Sequence, residues 1–143
     1  MKTNINSILK SVFILGAILD GGNAVSWFLI ASGIEIPSIL SGYIGSGQDY
    51  QFAMYIAAMF MASWTIILGW GAFDPIKRRD LLLIAAIYLL LSVIIEFVFY
   101  SHILGGGLFI FGVSKRLFLV VLFSFVYFYS MKHNANNTGT QNV

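Results

Sequence analysis

Residues 81–100 read LLLIAAIYLLLSVIIEFVFY, a run of apolar side chains with a single charged residue, Glu96. A helix rises about 1.5 Å per residue, so this run spans about 30 Å, the thickness of the hydrocarbon core of a bilayer. Its apolar character is continuous and does not alternate, which argues against a transmembrane β-strand. The stretch therefore predicts a membrane-spanning α-helix.

Three further segments have the same character, at about residues 8–33, 52–73 and 108–131. The chain of 143 residues is 59% hydrophobic and 10% charged, against roughly 45–50% and about 25% in soluble domains. A soluble domain of this size has too much surface for its volume to hide that apolar area. We expect an all-α membrane protein, a bundle of four transmembrane helices over residues 1–132 with a disordered polar tail over 133–143.

The distribution of cations predicts the orientation of the bundle. With both termini in the cytoplasm, the cytoplasmic side holds Lys2, Lys10, Lys77, Arg78, Arg79 and Lys132, and the other side holds Lys115 and Arg116. This arrangement satisfies the positive-inside rule. The chain has no cysteine, which excludes disulfides, thiolate metal sites and cysteine nucleophiles, and no basic run is long enough for a nucleic-acid surface.

Apart from Lys10 at the start of the first helix, four charged residues fall within the predicted helices, namely Asp20, Glu96, Lys115 and Arg116. A charge at the centre of a transmembrane helix costs about 2.5–3.5 kcal/mol on insertion scales, so each is expected to pair inside the bundle or to serve a function. These four residues are therefore the first candidates for a site.

Asp20 shares one face of the first helix with Gly16, Asn23 and Trp27, because these residues follow helical spacing. The functional interpretation of Asp20 and Asn23 is a proton or cation site, or a site for a polar group of a ligand. The structural alternative is a hydrogen bond between helices. Gly21-Gly22 predicts either a break after Asp20 or close helix packing.

Polar side chains spaced by four residues form a stripe on the third helix, namely Tyr88, Ser92, Glu96 and Tyr100. Glu96 and the two cations Lys115 and Arg116 are expected at a similar depth, so we predict that Glu96 pairs with one of them. The alternative is a pocket for an anion or a lipid headgroup that uses the unpaired cation.

No catalytic or cofactor signature is found. His102 and Glu96 are weak candidates for metal ligands, since such sites usually gather several His or a close carboxylate–His pair and the chain has two His. We therefore expect no cofactor and no metal, and we favour a protein that is not an enzyme.

One turn carries a resemblance to a known group of proteins. The segment WTIILGW at 64–70, followed by PIKRR at 75–79, resembles a pattern in uncharacterised small four-helix bacterial inner-membrane proteins. The resemblance implies a multi-pass protein of the bacterial plasma membrane. It implies no activity and no site.

The expected function is that of an accessory or interaction subunit, or of a binder of a lipid or small hydrophobic molecule. The expected partners are the bilayer and either further copies of the chain or a larger membrane complex, with no nucleic acid. A first alternative is an oligomeric proton- or ion-coupled transporter or channel, in which Asp20→Asn would abolish flux into liposomes. A second is a lipid-modifying enzyme, in which Glu96→Gln would abolish turnover while the fold persists.

Overall fold

The computed structural model describes residues 5–40, 42–100 and 106–139. This part of the chain forms four α-helices and no strands, with α1 at Ile5–Ala31, α2 at Gln48–Gly71, α3 at Asp80–Phe99 and α4 at Gly106–Gly139. All four are long and apolar enough to cross a membrane. The predicted all-α bundle of four membrane-spanning helices is confirmed.

The packing order of the helices differs from their order along the chain. α1 packs on α2, α3 packs on α4, and the two hairpins meet where α1 contacts α4. Glycines allow close approach at these contacts: Gly16 lies against Leu68 of α2 and Phe123 of α4, and Gly71 lies against Phe13. The most extensive helix contacts therefore follow the order α2–α1–α4–α3.

The helices in each of these three pairs are antiparallel. The end of α2 meets the start of α1 at Gly71 and Phe13, while the end of α3 meets the start of α4 at Phe97 and Phe109. The start of α1 and the end of α4 consequently lie at the same end of the bundle, together with the α2–α3 turn.

A buried apolar cluster receives side chains from all four helices and holds them together, and it includes Leu9, Phe13, Leu68, Leu82, Leu119 and Phe123. The outer faces are also apolar, with large exposed side chains such as Ile18, Phe60, Ile66, Tyr88 and Val121. A soluble monomer rarely exposes such continuous apolar surface, whereas lipid tails accept it. The protein is thus a multi-pass integral membrane protein.

The break predicted at Gly21-Gly22 is wrong, because α1 is a continuous α-helix from Ile5 to Ala31. Glycine lowers helix stability by only about 1 kcal/mol, which packing against a neighbouring helix readily outweighs. Gly21 lies beside the side chain of Thr65 on α2, as close helix packing requires.

The disordered tail predicted from residue 133 is also wrong as far as residue 139, where α4 ends. Composition indicates only that this segment has few apolar side chains to bury, namely those of Ala135 and Val143. Once a long helix exists, each added residue gains a hydrogen bond without a new nucleation cost, so polar residues can extend it.

The connector between α1 and α2 folds against the first part of α4. The Trp27 indole donates to Ser38 Oγ at 3.2 Å, and the Gly42 amide donates to the Ser38 carbonyl at 2.7 Å. Gly112 of α4 lies so close to the connector that a Cβ there would be 2.0 Å from the Leu40 carbonyl oxygen. The backbone of the connector is thereby brought to the polar residues of α4.

Candidate functional site

Arg116 and Glu96 form an ion pair between α4 and α3. Arg116 Nη1 donates to Glu96 Oε1 at 2.7 Å, and Nη2 donates to Oε2 at 2.6 Å. Such a bidentate pair is among the strongest hydrogen-bonded ion pairs in proteins. The predicted pairing of Glu96 with one of the two cations is confirmed, and Arg116 is the partner.

Every N–H group of Arg116 has an acceptor. Besides Glu96, the guanidinium donates to the Gly112 carbonyl at 3.2 Å, to Ser92 Oγ at 3.3 Å and to the Leu40 carbonyl at 3.4 Å. A guanidinium has five donors, and these bonds together with the two to Glu96 use all of them. Arg116 therefore has no donor left for an anion or headgroup.

Lys115 projects from a different face of α4 than Arg116, because successive residues of a helix are rotated by about 100°. Its Nζ donates to Asn23 Oδ1 on α1 at 3.3 Å, and it interacts electrostatically with Asp20. Asp20 is only partly buried, and its side-chain carboxylate accepts no hydrogen bond from the described part of the chain. Lys115 is thus paired less completely than Arg116.

The two groups of charges form one polar layer across the bundle. Asp20 and Asn23 on α1 lie opposite Lys115 on one face of α4, and Arg116 on a different face of α4 holds Glu96 on α3. Opposite charges thus face each other at both helix contacts, which offsets part of the cost of removing them from water.

The polar stripe of α3 lines an open groove of about 500 Å³, whose described lining is Tyr88, Leu91, Ser92, Ile95, Glu96 and Tyr100. The Glu96 side chain is 21% exposed while that of Arg116 is 2% exposed. The carboxylate is therefore accessible from the groove, and the guanidinium is buried behind it. The volume of the groove falls in the range of ligand sites, roughly 300–1,000 Å³.

The structure brings together most of the residues that the sequence singled out, but not all. His102 lies outside the described residues, so its proposed nearness to Glu96 is not seen. Both oxygens of Glu96 are engaged by Arg116.

Sequence reasoning missed Leu40 and Gly112. Both contribute backbone carbonyls to Arg116. Every residue has a backbone carbonyl, so the residue type does not indicate which carbonyl will accept a hydrogen bond from Arg116.

Comparisons with protein-family models, with curated protein sequences and with solved structures give no match to this chain. The site geometry is therefore the basis for assigning a function.

Proposed function

We propose that this protein is not an enzyme and that it binds a lipid or another small hydrophobic molecule with a polar end in the groove of α3. The observation that carries the proposal is the groove itself, in which apolar side chains surround a partly exposed carboxylate and two tyrosines. Apolar concavities with a few convergent polar groups are typical ligand sites. Polar groups within a membrane span are also expected to have a function.

The ion pair alone does not account for the polarity of the groove. Ser92 and Glu96 contact Arg116, but the phenol groups of Tyr88 and Tyr100 make no hydrogen bond with the described residues. Tyr88 is 75% exposed and lies near the middle of α3, away from the interfacial belt where tyrosine is usual. Both phenols are therefore open to a ligand in the groove.

Filling the groove should displace the ligand. Ile95→Trp places an indole in the groove, and we expect about a tenfold loss of ligand affinity, equivalent to about 1.4 kcal/mol. Affinity would be measured as saturable labelling of residues 80–100 by a photoactivatable diacylglycerol in phosphatidylcholine vesicles. Ile94→Trp is the matched control, because Ile94 and Ile95 are both 48% exposed but only Ile95 lines the groove.

Equal labelling of the wild type and both variants would contradict lipid binding in the groove. If labelling is absent and Ile95→Cys forms disulfides between copies of the chain, the groove is a contact in a homo-oligomer. The absence of natural cysteines makes that readout specific.

We also propose that the bundle lies in a bacterial inner membrane with both termini in the cytoplasm. The exposed side chains of three lysines lie at the end of the bundle that holds the start of α1 and the end of α4, namely Lys10, Lys77 and Lys132. At the same end, Arg78 stacks on the Trp70 ring with 3.5 Å between its Cζ atom and the ring centroid. Cations and tryptophan at one end fit the positive-inside rule and an interfacial anchor.

Cysteine labelling in whole cells tests this orientation. Lys77→Cys should react with a membrane-impermeant maleimide only after the cells are permeabilised, because the α2–α3 turn would face the cytoplasm. Ser46→Cys, an exposed position in the connector at the other end, should react in intact cells. The reverse pattern would invert the proposed orientation.

A further inference from the structure

We infer that the groove of α3 selects an uncharged amphiphile whose headgroup carries hydroxyl donors, as a monoacylglycerol does. This inference rests on the proposed function, because it names the class of ligand for that same groove. The inference rests on two observations. Some polar atoms are exposed in the groove, and others near it are buried or already hydrogen-bonded.

The groove offers acceptors for hydrogen bonds. An ionised carboxylate has about four lone-pair sites, and the bidentate pair with Arg116 uses two of those of Glu96. The remaining sites belong to a side chain that is 21% exposed. The phenol of Tyr100, about one helical turn from Glu96, adds a group that can accept or donate. A hydroxyl-bearing headgroup matches this set.

An anionic headgroup does not match it. Glu96 would repel the added charge, and the nearest cation cannot compensate, because Arg116 is buried and its five donors are in use. Lys115 is on a different face of α4 with Asn23. A phosphate or carboxylate would therefore lose its hydration without gaining a partner, which is costly at low dielectric.

A cationic headgroup also gains little, because the charge of Glu96 is already balanced by Arg116. A second cation beside this neutral pair would be attracted by the carboxylate and repelled by the guanidinium behind it. Since neither an anionic nor a cationic headgroup is favoured, the preferred headgroup is uncharged and donates hydrogen bonds through its hydroxyl groups.

The shape of the groove fits a single chain lying along α3. Tyr88 and Tyr100 are separated by three helical turns, and at about 1.5 Å per residue the groove extends about 18 Å along the helix axis. Leu91 and Ile95 supply apolar contacts along this length. The headgroup would lie at Glu96 and Tyr100, and the acyl chain would extend towards Tyr88.

Competition among three amphiphiles with the same oleyl chain length tests the inference. Monooleoylglycerol, oleyl sulfate and oleylamine would compete at neutral pH with the photoactivatable diacylglycerol for labelling of α3. We expect monooleoylglycerol to compete at about tenfold lower concentration than either charged amphiphile, which corresponds to about 1.4 kcal/mol. Tyr100→Phe removes one hydroxyl and keeps the ring. This variant should reduce the tenfold advantage of monooleoylglycerol over the charged amphiphiles.

Tyr55→Phe is the matched control, because Tyr55 on α2 is 47% exposed, close to the 49% of Tyr100, and does not line the groove. Equal competition by oleyl sulfate would overturn the inference, as would a Tyr100→Phe effect no larger than that of Tyr55→Phe. If none of the three amphiphiles reduces labelling of α3, the proposed function itself fails.

Discussion

Replacing Glu96 with leucine is expected to lower the free energy of unfolding by about 3–5 kcal/mol, the usual cost of removing one partner from a buried ion pair. Arg116 is 2% exposed, so it cannot turn to water for a substitute. Two of its five donors would lose their acceptors. Equilibrium unfolding of the purified protein in mixed detergent micelles would measure the loss.

The control is the double variant Glu96→Leu/Arg116→Met, in which both charges are replaced by apolar side chains. Replacing a whole buried pair in this way is often neutral or stabilising. We therefore expect the double variant to recover most of the stability that Glu96→Leu loses. If the single variant is as stable as the wild type, Arg116 is not dependent on Glu96, and the description of the pair as a structural unit is wrong.

Gly112→Ala is expected to have the second largest effect, a loss of about 1–3 kcal/mol in the free energy of unfolding from overpacking. The new Cβ would lie 2.0 Å from the Leu40 carbonyl oxygen, and a backbone atom cannot move aside as a flexible side chain can. The connector would have to shift, which also withdraws the Leu40 carbonyl from Arg116. Alanine is otherwise the better helix former by about 1 kcal/mol, so a net loss would identify the contact as the cause.

Gly69→Ala on α2 provides the comparison, because a Cβ at Gly69 meets nothing within 4 Å. This variant should be as stable as the wild type or slightly more stable, in the same unfolding experiment. Equal stabilities for Gly69→Ala and Gly112→Ala would mean that the connector does not pack on α4 as closely as described.

The fold was predictable because hydropathy reports directly on the solvent around a helix. Runs such as residues 81–100 are stable as helices only where lipid surrounds them, and all four runs are helices of spanning length. The packing order of the helices was not predictable, because the apolar faces of all four helices are alike in composition. Close contacts such as Gly16 with Phe123 depend on shape, which a hydropathy pattern does not contain.

The ion pair was predictable only in part. Similar depth in the bilayer indicated that Glu96 would meet Lys115 or Arg116, but depth cannot choose between neighbouring residues. The choice depends on the rotation of α4 about its axis, which directs Arg116 to α3 and Lys115 to Asn23 on α1. Tyr88 and Tyr100 were found from their spacing, and the groove beside them was not, because a concave surface requires the arrangement of the neighbouring chain.

The separation of the bundle into two hairpins has a consequence for how the protein assembles. The α3–α4 hairpin contains Glu96, Lys115 and Arg116, so it enters the bilayer with one formal positive charge in excess. The spanning part of α1 contributes Asp20, one formal negative charge. Each hairpin by itself leaves a charge in hydrocarbon without a counter-ion, and docking of α1 onto α4 supplies it. The formal charges of the two halves therefore offset each other only in the assembled bundle, where Asp20 and Lys115 interact.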